Sequence, residues 1–159
     1  MPATAVEADG PAWRDGHRKW QTAAVSPAPA LETSAPARVL LIDDQEDFRF
    51  LLSLTFGREG SGTEVIGEAS DGPSGIDEVA RLQPDVVILD YRMPGMNGIE
   101  AATLMLDANP DLRVVLCTAY PSPELEEVAL TLGIRATISK TRLGDLPNLV
   151  RRVLDDDGA

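Results

Sequence analysis

Short apolar runs alternate with helix-like segments five times between residues 38 and 156, and this alternation restricts the possible folds more than any other feature. The runs are rich in Val, Ile and Leu on both faces and too short for buried helices, which is typical of strands in a parallel sheet. They lie at residues 38–42, 63–69, 85–89, 113–117 and 135–139. We predict an α/β fold, a doubly wound five-stranded parallel sheet with helices on both faces.

Apolar residues recur at helical spacing after each predicted strand. These segments predict helices at residues 45–60, 73–82, 98–108, 122–133 and 145–156. In the fourth helix, Ser122 predicts the N-cap, Pro123 the first turn and Gly133 the end. The residues expected to face the core are Phe48, Leu51, Leu52, Phe56, Ile76, Val79, Ala80, Leu125, Val128, Ala129, Leu132, Leu146, Leu149, Val150 and Val153.

Four of the five predicted strands deliver candidate catalytic or ligand side chains at their carboxyl ends, whereas the second delivers only Glu68 or none. Because crossovers in such sheets are right-handed, the carboxyl ends of all strands meet at one edge, where ligands bind. The first and third strands deliver carboxylates to this edge, the fourth a hydroxyl and the fifth an ammonium group. The candidate site residues are Asp43, Asp44, Asp90, Thr118 and Lys140.

The chemistry of these residues suggests phosphoryl transfer. Three clustered carboxylates raise one another's pKa unless a cation lies between them, and Mg²⁺ prefers such oxygen ligands. Lys140 and Thr118 are suited to phosphoryl oxygens. We predict that Asp90 is a nucleophile that forms an aspartyl phosphate, with Mg²⁺ and Lys140 neutralising the transferred charge. Strand alternation points Cys117 away from this edge, so a zinc site is not expected there.

Residues 1–37 are predicted to be a disordered N-terminal tail before a domain at residues 38–157. They are rich in Ala, Pro and Ser and lack sustained periodicity. One stretch, "WRDGHRKWQ", places Trp13 and Trp20 on one side of any helix it forms. Two interpretations stay open: exposed aromatics in a disordered tail, or a docking peptide or flap that folds onto the domain.

The charge and apolar content of the chain limit its partners. Residues 1–37 carry three basic and four acidic side chains, whereas residues 38–159 carry 11 basic and 22 acidic ones. A surface this acidic repels phosphate backbones, so we expect no nucleic-acid partner.

The apolar runs are too short to span a bilayer, and the N-terminus lacks a signal-peptide core. We therefore expect a cytoplasmic protein without a membrane partner.

Residues 38–155 resemble the receiver domain of two-component response regulators. The resemblance rests on Asp43-Asp44 after the first strand, Asp90 followed by "MPGMNGIE", Thr118-Ala119, and Lys140 after the fifth strand. It implies a flavodoxin-like sheet of strand order 2-1-3-4-5, similar to that of chemotaxis regulators. It also implies a sensor histidine kinase or phosphotransfer protein as phosphoryl donor. The implied Mg²⁺ ligands are Asp43, Asp44, Asp90 and the backbone carbonyl of Arg92.

The resemblance also suggests how the signal is read. It implies contact with a downstream protein through the helix at 123–132, the strand at 135–138 and the helix at 145–155. Two positions depart from the family pattern, since Thr137 replaces the usual switch aromatic and Thr141 replaces the usual proline after the lysine. Tyr120 is then the candidate for the switch. By the same resemblance Arg92 and Tyr120 border the path of the hydrolytic water, and their bulk predicts slow dephosphorylation.

We expect a single-domain response regulator, with no enzyme activity beyond its own phosphorylation and slow dephosphorylation. One alternative is a receiver fragment of a DNA-binding response regulator that lacks its output domain. Another is an aspartyl-phosphate phosphohydrolase, against which Arg92 argues because such enzymes often carry an acid at that position. A flavodoxin-like cofactor binder is a third, but the edge lacks a glycine-rich phosphate cradle.

Overall fold

The computed structural model describes residues 35–156, in which strands and helices alternate five times as predicted. The strands are β1 (Ala37–Ile42), β2 (Thr63–Ala69), β3 (Val86–Asp90), β4 (Arg113–Thr118) and β5 (Ala136–Ser139). The helices are α1 (Glu46–Phe56), α2 (Gly72–Leu82), α3 (Gly98–Ala108), α4 (Pro123–Leu132) and α5 (Leu146–Asp155). A 3₁₀ segment (Lys140–Asp145) lies between β5 and α5.

The five strands form one parallel sheet in the order β2-β1-β3-β4-β5, which confirms the predicted topology. The chain order reverses at β1, so β1 and β3 lie side by side at the switch point. Leu89 is the register partner of Ile42 on one side and of Leu116 on the other. The residues that directly follow Ile42, Leu89 and Leu116 therefore lie at the same height along the strands.

Alternate residues of the strands enter two apolar cores, one on each face of the sheet. Leu40, Leu89 and Leu116 pack toward α2, α3 and α4, whereas Leu41 and Cys117 pack toward α1 and α5. As predicted, the Cys117 thiol is buried in a core, and this burial raises its pKa to about 12. The thiol is therefore protonated at neutral pH.

Three residues predicted to face the core are exposed instead. Leu51 on α1 and Val128 on α4 are 48% and 47% exposed, and Ala80 on α2 is also exposed. The physical reason is that each helix covers the sheet with a narrow stripe. In α4 that stripe is the i, i+4 pair Leu125 and Ala129, so a residue at i+3 lies beside it.

Several predicted boundaries shift by one residue. β1 begins at Ala37, the last residue of the predicted tail, because its N–H donates to the Gly62 carbonyl oxygen at 2.9 Å. β5 spans Ala136–Ser139, so it begins one residue later than the predicted strand at 135–139. It extends one residue beyond the 135–138 segment assigned to the output surface, since Ser139 still pairs with Thr118. Helix α5 begins at Leu146 rather than 145, because the 3₁₀ segment precedes it.

The predictions for the tail lie outside the described residues. They concern residues 1–34 and include Trp13 and Trp20. Within residues 35–156 no helix combines the length and apolar character needed to cross a membrane.

Candidate functional site

Three polar residues are buried at the carboxyl ends of the central strands. Asp43 follows β1, Asp90 is the last residue of β3, and Thr118 is the last residue of β4. Their exposed fractions are 2%, 4% and 0%. Because a buried carboxylate is costly without a partner, the site needs a cation or hydrogen-bond donors close by.

Lys140 supplies a cation to this edge. Its Nζ lies 2.6 Å from Asp43 Oδ2 and 3.3 Å from Asp90 Oδ2, and its side chain is only 11% exposed. The lysine directly follows β5, so its stem crosses the carboxyl ends of the sheet to reach β1 and β3. The structure thus brings together residues from the first, third and fifth strands, as the sequence predicts.

The acidic cluster has the donor set of a hard metal ion. Asp43, Asp44 and Asp90 each offer a carboxylate oxygen, and these oxygens lie within 4.8 Å of one another. Asp44 is exposed, so the cluster is open to solvent on one side. An all-oxygen site with an open side fits Mg²⁺, which keeps several waters when it is bound by carboxylates.

The electrostatics of the site centre on Asp90. Burial and the charge of Asp43 raise the pKa of the Asp90 carboxyl to about 6, against the opposing influence of Lys140. Burial alone would lower the pKa of Lys140, but its hydrogen bond to Asp43 and the two carboxylate charges raise it above its ordinary value. At neutral pH the site therefore holds an ammonium ion beside a carboxylate whose charge is disfavoured.

Gly98 shapes the loop that follows Asp90, a role that was not predicted from the sequence. Its N–H donates to the Tyr91 carbonyl oxygen at 2.7 Å. A Cβ at this position would overlap the Asp90 carbonyl oxygen and lie 2.9 Å from Tyr91 Cα, so only glycine fits this approach. Asn97 and Glu100 form a capping box around this start of α3. The sequence signal for this start of α3 is an Asn-Gly pair with Glu three residues after the capping Asn.

Tyr120, on the loop after β4, contacts both Thr118 and the loop after β3. The Thr118 Oγ1 accepts a hydrogen bond from the Tyr120 N–H at 3.1 Å. The Arg92 guanidinium lies over the Tyr120 ring, 4.3 Å from its centroid. Tyr120 is 62% exposed, and a groove of about 570 Å³ lies beside this pair. The predicted role of the Arg92 carbonyl as a metal ligand stays a prediction.

The N-cap and the first turns of α1 also contact residues of the site. Gln45 Oε1 accepts a hydrogen bond from Lys140 Nζ at 3.4 Å, and Nζ lies 4.4 Å from the centroid of the Phe48 ring. Arg49 pairs with Glu68 at 3.1 Å, so the carboxylate of β2 does not join the acidic cluster. These contacts have no signal in the amino-acid sequence, since the helical pattern of α1 marks Phe48 only as a core residue.

Comparison with known proteins identifies a family. The family model for the response regulator receiver domain matches residues 39–153. The chain is 34% identical over 103 residues to sporulation initiation phosphotransferase F of Bacillus subtilis (strain 168), which covers 65% of this chain and 81% of that protein. It is 36% identical over 104 residues to the transcriptional regulatory protein LiaR of the same organism, covering 65% of this chain and 49% of LiaR.

A solved structure shares the fold. The signal receiver domain of the putative response regulator NarL from Mycobacterium tuberculosis superposes with a TM-score of 0.72 at 29% sequence identity. The superposition covers 77% of this chain and 98% of that domain.

Proposed function

Because the chain belongs to the response regulator receiver domain family, we propose that it accepts a phosphoryl group on Asp90 and signals through protein contacts in the cytoplasm. Receiver domains of this family interact with histidine kinases or phosphotransfer proteins, and we propose that such a protein is the donor here. One observation carries the proposal. The buried Asp90 carboxylate lies 3.3 Å from the Lys140 ammonium and beside two further carboxylates.

The transfer step uses groups that are already in place. An Asp90 carboxylate oxygen forms a bond to phosphorus while the P–N bond of a donor phosphohistidine breaks. The electron pair of that bond stays on the donor imidazole, which takes up a proton from solvent. Lys140 offsets charge on one phosphoryl oxygen, and the Thr118 hydroxyl donates to another.

The acidic cluster would hold the divalent cation that this chemistry needs. We propose Mg²⁺, held by Asp43, Asp44 and Asp90 and by the backbone carbonyl of Arg92. When bound, Mg²⁺ supplies positive charge to the phosphoryl oxygens during transfer. The fit rests on the three carboxylate oxygens, which lie within 4.8 Å of one another. The raised pKa of Asp90, caused first by burial and then by the charge of Asp43, is consistent with this proposal.

We propose that the signal leaves through α4, β5 and α5. β5 is an edge strand of the sheet, so this surface is open to a protein partner. Val128 and Leu130 on α4 are 47% and 64% exposed and provide apolar contact area. Thr137 on β5 is too small to act as the aromatic switch, and Tyr120 lies on the loop that leads into α4. Tyr120 is therefore the proposed carrier of the conformational change.

The relatives support two forms of output. The chain spans 81% of phosphotransferase F, so that protein is little more than the matched domain, which supports signalling by contact alone. The chain spans 49% of LiaR, a transcriptional regulator, which supports the second candidate of a receiver from a longer DNA-binding regulator. Both candidates expect no DNA binding by this acidic chain itself, and a salt-sensitive shift of duplex DNA by the pure chain at physiological salt would contradict that expectation.

Phosphorylation of the pure chain tests the main proposal. With phosphoramidate and Mg²⁺, intact mass spectrometry should show a single added phosphate that is removed by hydroxylamine. Asp90→Asn should remain unlabelled, whereas the exposed control Asp107→Asn should label like the wild type. Equal labelling of Asp90→Asn would refute the assignment. Release of phosphate over many turnovers from a small phosphate ester would instead favour the phosphohydrolase.

A further inference from the structure

The first turn of α1 presents two side chains to the Lys140 ammonium. Gln45 is the N-cap residue, yet its side chain makes no capping hydrogen bond and instead accepts from Nζ at 3.4 Å. Phe48 lies three residues further on the same helix face, and its ring centroid is 4.4 Å from Nζ. The ammonium is thus contacted by two carboxylates and by two uncharged groups.

The uncharged contacts differ from the charged ones in their effect on the cation. A carboxylate holds an ammonium by compensating its charge, and so competes with any phosphoryl oxygen for it. The face of an aromatic ring attracts a cation through its quadrupole and leaves the net charge intact. A ring over Nζ therefore restrains the flexible lysine stem while the charge stays available.

We propose that Phe48 is a positioning residue of the phosphoryl-transfer site, whose ring face holds the Lys140 ammonium beside Asp90. In its absence the ammonium has only Gln45 and the carboxylates as restraints, and the four-carbon stem can extend toward solvent. The expected effect of Phe48 on the rate of phosphorylation rests on the proposed function, whereas the contact between its ring and the ammonium does not. Phe48 also packs against the α1–α5 core, so the experiment has to separate packing from the interaction with the cation.

Ring fluorination separates the two effects. Phenylalanine with one, two or three ring fluorines keeps nearly the same shape while the negative potential of the ring face decreases. Introduced at Phe48, the series should lower the rate of phosphorylation by phosphoramidate in proportion to the number of fluorines. Phe48→Leu should lower it about five- to thirtyfold, and Phe48→Tyr should retain most of the rate. The matched control is the same series at Phe50, which lies on α1 and is 61% exposed, and it should give a flat response.

The contact is measured independently in metal-free, unphosphorylated protein. The chain contains two lysines, Lys19 and Lys140, so lysine-selective ¹³C labelling gives two sets of side-chain signals. The ring current of Phe48 should shift the Lys140 Hε signals upfield, and Phe48→Leu should abolish that shift. Far-UV circular dichroism and a cooperative unfolding transition verify that each variant is folded.

The outcomes are distinct. Upfield Lys140 signals together with a graded fluorine response support the proposal. Lys140 signals at the position of a solvated lysine in the wild type, or equal rates throughout the Phe48 series, overturn it. If the wild type shows the upfield signals but accepts no phosphate, the proposed function fails while the contact stands.

Discussion

The central strands β1, β3 and β4 build two regions that are equally buried but opposite in chemistry. Along their length, Leu40, Val87 and Leu116 are 0% exposed and pack in an apolar core. At their carboxyl ends the same strands bury Asp43, Asp90 and Thr118 at 2%, 4% and 0% exposure. Burial of an apolar side chain stabilises the fold by about 1.5–3 kcal/mol, whereas burial of like charges opposes folding. The apolar core therefore maintains the charged site at the carboxyl edge of the sheet.

The largest effect should come from the apolar region. Leu116→Ala removes a fully buried side chain from β4 and leaves a cavity, so it should lower the free energy of unfolding by about 3–4 kcal/mol. Urea denaturation measures this change. The control Leu130→Ala, at a position 64% exposed, should cost less than about 0.5 kcal/mol. An equal loss of unfolding free energy in the two variants would contradict the conclusion that the apolar core maintains the site at the carboxyl edge.

A substitution at the carboxyl edge of the sheet should raise the free energy of unfolding instead of lowering it. Asp90→Asn removes a charge that burial and Asp43 disfavour, so it should raise the free energy of unfolding of metal-free protein at pH 7.5. We expect about 1 kcal/mol, after allowing for solvent screening. Asp107→Asn, on the exposed face of α3, is the matched control. Destabilisation by Asp90→Asn would mean that the ion pair with Lys140 outweighs the repulsion.

The difference between wild type and Asp90→Asn should depend on pH. The Asp90 pKa is raised from 3.8 to about 6 in the folded protein, so the folded state binds this proton more tightly than the unfolded state. The resulting stability is fully present below pH 3.8 and is lost as the pH rises through about 6. Urea midpoints of both proteins in EDTA measure it. A pH-independent difference would contradict the raised pKa.

Added Mg²⁺ should reverse part of this loss. It should raise the melting temperature of the wild type at pH 7.5 by a few degrees, since binding to the folded state alone stabilises it. The increase should shrink at pH 5, where Asp90 is mostly protonated, and in Asp44→Asn. An equal increase in Asp44→Asn would show that Mg²⁺ binds outside the cluster.

The smallest effect on stability is expected at the Arg92–Tyr120 contact. Tyr120 is 62% exposed, so Tyr120→Ala should change the free energy of unfolding by less than about 1 kcal/mol. Its effect should appear in signalling, as a smaller change in amide chemical shifts of α4 and β5 on addition of beryllofluoride and Mg²⁺. Leu104→Ala, exposed on α3, is the control. A full response in Tyr120→Ala would leave the loop backbone as the carrier.

The same contact bears on the lifetime of the phosphoryl group. Replacing Arg92 by Asn and Tyr120 by Glu opens the stack and introduces groups that orient water. The double variant should lose its phosphate faster than the wild type, as measured by the decay of the phosphorylated mass. Unchanged decay would show that these side chains do not control water access.

Most of the fold and part of the site follow from local sequence features. Alternation of apolar runs predicted every strand, and the polar residues after four of the five runs predicted Asp43, Asp90, Thr118 and Lys140 at one edge. The helix faces were less predictable, because exposed Leu51 and Val128 are as apolar as their buried neighbours. Gly98 was missed because its requirement is a steric one, set by the approach of α3 to the Asp90 carbonyl oxygen.

Which chemical groups reach the carboxyl edge of the sheet follows from the amino-acid sequence, because periodicity and strand ends are encoded within a few neighbouring residues. How those groups pair depends on the folded structure. The closer approach of Lys140 to Asp43 than to Asp90 has no local signature. The same holds for its contacts with Gln45 and Phe48, since Gln45 lies 95 residues away in the chain. Such pairings depend on how elements distant in the chain dock across the carboxyl edge of the sheet.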